Sequence, residues 1–249
     1  MKNQAECEKV LFFIVGHQLN ISERLYDRAA VDLPMTLRWF VTGVGKSSFD
    51  RCFVLNEDNG TDIPTSSNES GQQLRLSNTT DPPLATCVDR VVVVDVLTRK
   101  KNQMSTQLND DLSSSLVANG ERLPTIRLPP ARTSDEATFT YRVKVRGDDL
   151  DFQRHANVSS YVGFVMECAR SATKSGFYSS IRDDVNVYRV KSMTSLHVGE
   201  SYIDDELDMT TWEDCGNSRS LNFVIHRQEK MIYSSQMEFY ERMLNKSQL

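Results

Sequence analysis

The segment from residue 138 to residue 175 limits the possible folds of this 249-residue chain more than any other segment. In Thr138-Phe-Thr-Tyr-Arg-Val-Lys-Val145, bulky apolar and polar side chains alternate with the period of a half-buried strand. After a polar turn, apolar side chains recur at three- and four-residue spacing, as on one helix face: Val158, Tyr161, Val162, Val165, Met166 and Ala169. The pattern predicts a strand and a helix of one α+β domain.

The polar turn between this strand and this helix contains His155 and several other side chains that could do chemistry. Asn157 and Ser159 are candidates for the N-cap of the helix. Free backbone N–H groups and the positive end of the helix dipole would then lie near Asp151, Gln153 and His155. Such an arrangement suits a carbonyl or phosphate ligand.

Charge, hydropathy and cysteine content exclude several classes of protein. The net charge is -5, the pI is about 5.5 and there is no lysine or arginine run, so we expect no nucleic-acid partner. The apolar run Val10–Val15 is too short to span a bilayer, and we predict no signal peptide and no membrane span. The five cysteines form no CxxC pair, which indicates reduced thiols in the cytoplasm and no metal site. No cofactor is expected.

The second half of the chain contains one helix and many strands. The strand at 138–146 and the helix at about 157–175 precede four predicted strands, near residues 185–198, 200–213, 218–228 and 230–242. One helix with a run of antiparallel strands implies a sheet that wraps the helix.

The first half reads as strands interrupted by a long polar segment. Strands are predicted in Val10–Leu25, Pro34–Val44, Ser47–Leu55 and Leu84–Thr98. The last of these contains four consecutive valines and should be central in its sheet. The stretch Asn56–Pro83 has no hydrophobic period and is predicted to be a long, mobile surface loop.

The two halves show a weak internal repeat. At an offset of 173 residues, Trp39, Gly43, Lys46 and Ser47 correspond to Trp212, Gly216, Arg219 and Ser220. This supports two related sheets. A polar, proline-containing connector separates them, and we predict a partial repeat at 1–104, a linker at 105–137 and a complete repeat at 138–249.

Four segments resemble one known family. Asp149-Leu-Asp-Phe-Gln-Arg-His-Ala-Asn-Val-Ser-Ser-Tyr-Val-Gly-Phe-Val-Met-Glu167 resembles the DLDxNxHVNNxxYxGWxxE signature of the acyl-acyl-carrier-protein thioesterases. Tyr188-Arg-Val-Lys-Ser192 resembles the YRREC strand of that family. Trp39–Gly45 with Ser47, and Val94-Asp-Val-Leu-Thr-Arg-Lys-Lys101, are similar to strands of its N-terminal domain.

The resemblance covers most of the chain and implies a fold. The family has a tandem hot-dog fold of class α+β, in which antiparallel sheets wrap a central helix. The second half of this chain matches a complete hot dog. The first half is expected to begin at the second strand of its repeat, without the opening strand and the central helix.

The resemblance also implies an activity and a site. It implies hydrolysis of fatty acyl thioesters carried by acyl carrier protein or coenzyme A. The aspartate, asparagine and histidine of the family fall on Asp151, Gln153 and His155, which are the catalytic candidates. Asn157 and Ser192 are the substrate-binding candidates. The acidic residue of the YRREC strand falls on Lys191, and its cysteine falls on Ser192.

Thioester hydrolysis needs an activated water and hydrogen-bond donors for the developing oxyanion. His155 is the expected base, because an imidazole can accept a proton near neutral pH, and Asp151 could orient it. Gln153 keeps the amide of an asparagine but is longer by one methylene, roughly 1.5 Å. Lys191 is a cation and cannot replace a carboxylate base.

Alternatives follow from the same residues. The histidine could be a helix-start residue and the aspartates could be turn formers, and Asn157 could serve only as a cap. The substitutions at Gln153 and Lys191 favour a non-catalytic protein that binds acyl thioesters or acts as a scaffold. A third alternative is an incomplete gene product whose first half cannot close its sheet around a helix. The sequence leaves a homodimer open.

Overall fold

A computed structural model of the chain describes residues 10–28, 34–58, 82–116 and 137–241. The chain divides into two compact units, Met1–Ile126 and Arg127–Leu249. The division falls inside the segment 105–137, which the sequence predicts to be a linker.

Unit 1 contains a four-stranded antiparallel sheet. Its strands are β1 (Val10–Ile21), β2 (Met35–Val44), β3 (Ser48–Glu57) and β4 (Ala85–Asp95), and its helices are α1 (Glu23–Arg28) and α2 (Thr106–Ser114). The strands lie in the order β2-β3-β4-β1. All four strands were predicted from the sequence, but the first one ends at Ile21 and not at Leu25, because Glu23–Arg28 form α1. Most of the predicted loop 56–83 lies outside the described residues.

The four valines of β4 are interior to the sheet of unit 1, as predicted. The strand lies between β3 and β1, and Val91 and Val93 are buried. Phe40, Cys52, Val54 and Val88 form a buried cluster on neighbouring strands. The helix α2 falls within the predicted linker and buries none of its side chains, and its N-cap Ser105 accepts a hydrogen bond from the N–H of Leu108.

Unit 2 contains one long helix and a five-stranded antiparallel sheet. Its elements are β5 (Phe139–Lys144), α3 (Val158–Lys174), β6 (Val190–His197), β7 (Glu206–Asp214), β8 (Asn217–Arg227) and β9 (Lys230–Phe239). The strands lie in the order β6-β9-β8-β7-β5. The strand predicted near 185–198 begins at Val190, because Val185–Val187 form a turn of 3-10 helix capped by Asp184.

The sheet of unit 2 packs against the apolar face of α3. This face buries Tyr161, Phe164, Val165, Cys168, Ala169 and Ala172. Phe223, Ile225 and Met209 are fully buried on neighbouring strands of the sheet. Burial of each such large side chain stabilises the fold by about 1.5–3 kcal/mol, so the packing of α3 on the sheet stabilises unit 2. The predicted sheet around a helix is confirmed.

The two units share one strand topology. The chain order and spatial order of β1 to β4 in unit 1 match those of β6 to β9 in unit 2. Trp39 lies in β2 and Trp212 lies in the corresponding β7, in agreement with the sequence repeat. Unit 2 adds β5 and α3. Among the described residues of unit 1, no strand corresponds to β5 and neither helix has a buried side chain.

Candidate active site

The residues between β5 and α3 form a tight turn that presents His155. The N–H of Asp151 donates to the carbonyl of His155 at 2.9 Å, and the N–H of Arg154 donates to the carbonyl of Asp151 at 3.0 Å. Leu150 pairs with Ala156 across the turn. Arg154 has a φ of 64°, in the left-handed region that costs a side-chain-bearing residue energy. The tight turn brings Asp151, Gln153 and His155 together.

Both ring nitrogens of His155 have side-chain neighbours. Nδ1 lies 3.3 Å from Oδ2 of Asp151, and Nε2 lies 3.3 Å from Oε1 of Gln153. The backbone N–H of Gln153 donates to Oδ1 of Asp151 at 2.8 Å, which fixes the carboxylate. His155 is buried, so the pair with Asp151 is shielded from water.

These contacts favour one tautomer of the imidazole. A carboxylate can only accept a hydrogen bond, so the contact of Asp151 with Nδ1 of His155 favours the tautomer that carries its proton on Nδ1. In neutral imidazole, Nε2 is then an acceptor and is matched by the amide N–H₂ of Gln153, after rotation of the amide about its last bond. In imidazolium, Nε2 is a donor and is matched by Oε1. Gln153 can therefore bind either state of His155.

Asn157 caps the helix, as predicted. Its Oδ1 accepts a hydrogen bond from the N–H of Ser159 at 3.1 Å. The carbonyl of Asp149 accepts from the N–H of Asn157 and from Oγ of Ser160, both at 2.9 Å. These bonds attach the His155 turn to the positive end of α3, where backbone N–H groups favour developing negative charge.

The site has two walls. The first is the turn that carries His155, and the second is the segment Gly199–Tyr202, which follows β6. The carbonyl of Ser201 accepts from the N–H of Ala156 at 2.8 Å, and Tyr202 pairs with His155. At Gly199, a Cβ would lie 2.7 Å from Cγ2 of Ile232, so a side chain does not fit without displacement. Glycine therefore allows this segment to pass close to β9.

Glu200 lies on this second wall, and it was not among the residues predicted from the sequence. Oη of Tyr202 donates to Oε2 of Glu200 at 2.5 Å. The next two residues along the chain are the ones that pair with the His155 turn. The sequence contains a signal for Glu200. In Glu200-Ser201 an acidic residue precedes a small one, as the glutamate precedes the cysteine in the YRREC strand of the family.

Lys191 and Ser192 lie at the start of β6, whereas the segment that pairs with the His155 turn follows its end. Nζ of Lys191 is 2.8 Å from Oε1 of Glu238, and Oγ of Ser192 donates to Oε2 of Glu238 at 3.4 Å. Burial raises the pKa of Glu238, but the hydrogen bonds from Lys191 and Asn217 hold it below its ordinary value. The charge of Lys191 is thus paired with Glu238.

The structure therefore brings together three of the five predicted site residues, Asp151, Gln153 and His155, and Asn157 follows them as the N-cap of α3. It does not bring Ser192 to them. From Ser192 to His197 the strand advances five residues, or roughly 17 Å.

The described parts of the chain hold neither a metal-binding cluster nor a membrane-spanning helix. They contain no group of three or more His, Cys, Asp or Glu side chains placed to hold a metal ion. Nor does any helix in them have the length and apolar character needed to cross a membrane.

Comparison with known proteins gives matches at the level of structure. No family model matches the sequence, and no curated protein matches it. A 12:0-ACP thioesterase from Umbellularia californica is similar with a TM-score of 0.64 and 12% identity over 96% of this chain and 78% of the other. An oleoyl thioesterase from Lactobacillus plantarum gives 0.64 and 13%, over 99% of this chain and 81% of the other. An acyl-ACP thioesterase from Bacteroides thetaiotaomicron gives 0.59 and 13%, over 94% and 79%.

These similarities establish the fold class. The chain has the α+β tandem hot-dog architecture of its structural neighbours, as the sequence resemblance implied. The contact between His155 and Asp151 lies in unit 2, which contains the long helix α3 and five strands.

Proposed function

We propose that this protein is an acyl thioesterase that hydrolyses acyl thioesters of acyl carrier protein or coenzyme A to a free acid and a thiol. The observation that carries the proposal is the contact of the buried His155 with the partly exposed carboxylate of Asp151, close to the start of α3. The similar solved structures are acyl-ACP thioesterases by name, which supports this class of substrate. The described cysteines are free thiols, which favours the cytoplasm.

In the proposed reaction, Nε2 of His155 accepts a proton from water while the water oxygen attacks the thioester carbonyl. Asp151 stabilises the imidazolium that forms. The tetrahedral intermediate then expels the sulfur, which takes the proton from Nε2, and the C–S bond breaks. The positive end of the α3 dipole is the candidate for stabilising the oxyanion, since the N–H groups of Ser159 and Ser160 already donate to Asn157.

Gln153 and Glu200 have separate roles in this proposal. When the Gln153 side chain rotates away from Nε2, water can occupy the space that its amide fills, and the amide can hold that water. Glu200 supplies the second carboxylate that the family pattern placed at Lys191. Its position on the wall that pairs with the His155 turn supports this role.

The second candidate function is binding of acyl thioesters without turnover. One observation favours it: Oε1 of Gln153 lies 3.3 Å from Nε2 of His155, where a reacting water would need to be. If Gln153 keeps this position when substrate binds, the base has no water to activate.

The test is release of free thiol from acyl-ACP and acyl-CoA of several chain lengths. The proposal predicts turnover by the wild-type protein and a loss of at least about 100-fold in His155→Ala, the scale of general base catalysis. His226→Ala, on β8, is the matched control and should keep its activity. Equal rates for wild type and His155→Ala would refute the site.

The same assay separates the two candidate functions. Acyl-thioester binding without turnover favours the second one. In that case Gln153→Asn, which shortens the side chain that fills the water position, should create activity if the protein is a decayed enzyme. Lys191→Glu should not create activity, because Lys191 lies at the start of β6, whereas the segment that pairs with the His155 turn follows the end of β6.

A further inference from the structure

A buried hydrogen bond connects helix α3 to the second wall of the site. The hydroxyl groups of Tyr161 and Ser201 lie 2.9 Å apart, and their residues are 2% and 0% exposed. The ring of Tyr161 stacks on Tyr233 at 5.2 Å and meets His197 edge to face at 5.3 Å. Because the ring is held on two sides, its hydroxyl is a fixed point on α3.

Ser201 connects the hydroxyl of Tyr161 to the turn that contains His155. Its carbonyl accepts the N–H of Ala156, the residue after His155, and the next residue, Tyr202, pairs with His155 itself. The N–H of Tyr202 also donates to Asp205, which forms an ion pair with Arg227. The wall therefore has one anchor on α3 and another on β8.

We propose that Tyr161 and Ser201 are positioning residues that set the distance between His155 and Asp151. This inference rests on the proposed function. Asp151 is attached to the turn and His155 is attached to both the turn and the wall, so a displaced wall moves the imidazole relative to the carboxylate. A displacement of about 1 Å in a catalytic group can cost about 100-fold in rate.

The test compares Tyr161→Phe, Ser201→Ala and the double variant. Each single variant removes one partner of this buried hydrogen bond and should lower the denaturation midpoint, less so in Ser201→Ala, where the backbone of residue 201 can still bind the Tyr161 hydroxyl. The double variant also removes the Ser201 hydroxyl, so its midpoint should lie above that of Tyr161→Phe. The positioning role predicts that kcat stays about tenfold low in all three variants, with KM within about twofold of wild type.

Tyr178→Phe is the matched control. Tyr178 is also buried and binds a buried hydroxyl, Oγ1 of Thr211, at 2.7 Å, but it follows the other end of α3. Tyr178→Phe should lower the midpoint without lowering kcat. If kcat recovers together with stability in the double variant, or falls equally in Tyr178→Phe, the role of Tyr161 is only structural.

A second measurement does not depend on turnover. The imidazole NMR signals of His155, assigned by their loss in His155→Ala, report the contact between Nδ1 and the Asp151 carboxylate. They should shift in Tyr161→Phe and in the double variant and stay unchanged in Tyr178→Phe. Unchanged signals in all variants overturn the inference, whereas a shift in a protein without hydrolase activity overturns only the proposed function.

Discussion

At the scale of single residues, the site depends on short-range contacts inside one turn. Asp151 and His155 are four residues apart, and the turn closes through one hydrogen bond between their own backbones. Such a contact could be predicted from the sequence, because the spacing, the polar turn and the helix start all lie in one segment. The contact of Gln153 with Nε2 of His155 could not be predicted from the sequence, since the rotamer of Gln153 depends on the folded surroundings.

Glu213 is a second carboxylate whose role is local, and it carries a prediction about stability. It accepts the N–H groups of Ser179 and Ser180 at 2.9 and 3.0 Å, as well as their hydroxyl groups. Burial raises the pKa of Glu213, but these hydrogen bonds together hold it below its ordinary value. The ionised carboxylate thus attaches the loop after α3 to β7.

Glu213→Ala should lower the free energy of unfolding by about 1 kcal/mol at pH 7, at the low end for charged hydrogen bonds because the carboxylate is partly solvated. A lowered folded pKa means that this stabilisation is complete above the unfolded value and is lost as the pH falls through the folded value. The difference from wild type in urea unfolding should therefore shrink below about pH 4. Glu206→Ala, on the same strand, is the control, and a difference that persists unchanged at pH 3 would contradict the prediction.

At the scale of elements, the strand and helix pattern was largely predictable. The alternation in β5 and the apolar face of α3 could be recognised in the sequence, because each element has one face that is less exposed than the other. The short helix α2 was missed because it buries nothing, so it leaves no hydrophobic period. The match of Tyr188–Ser192 to the YRREC strand did not predict which end of β6 leads to the segment that pairs with the His155 turn. A five-letter pattern does not determine where on a strand its residues meet another segment.

Two glycines of unit 2 provide a paired prediction at this scale. A Cβ at Gly199 would clash with Ile232, whereas a Cβ at Gly163 would meet nothing within 4 Å. Gly199→Ala should therefore displace the wall beside His155 and lower both stability and thioesterase activity. Gly163→Ala should raise the free energy of unfolding by up to about 1 kcal/mol, because alanine favours the helix.

Thermal denaturation and the thiol-release assay together check this pair. A Gly199→Ala protein as active and as stable as Gly163→Ala would show that the close approach to Ile232 tolerates a side chain. The passage of the wall beside β9 would then not require glycine at position 199.

At the scale of the whole molecule, the two units have the same strand topology but differ in the exposure of corresponding side chains. The corresponding tryptophans show this most directly, since Trp39 is 60% exposed and Trp212 is 3% exposed. Met35 and Leu37 on the same strand as Trp39 are also exposed. The repeat could be recognised in the sequence, but the different exposure of the two tryptophans could not. Residues that correspond at a fixed offset show a shared topology, not which side chains pack over them.

Fluorescence quenching tests the difference, because the chain has only these two tryptophans. In Trp212→Phe the remaining emission comes from Trp39, and acrylamide should quench it several times more strongly than the emission of Trp39→Phe. Equal quenching constants would show that the two units cover their tryptophans alike.

The central claim is that Asp151 and His155 act as one acid–base pair, and its most direct test compares two neighbouring aspartates. Asp151→Asn removes the charge beside Nδ1 of His155, whereas Asp149→Asn changes a carboxylate that accepts the N–H of Arg146 at 2.7 Å. We predict that kcat for thioester hydrolysis falls at least about 100-fold in Asp151→Asn and less than about threefold in Asp149→Asn. Hydrolysis by Asp151→Asn at the wild-type rate would contradict the claim.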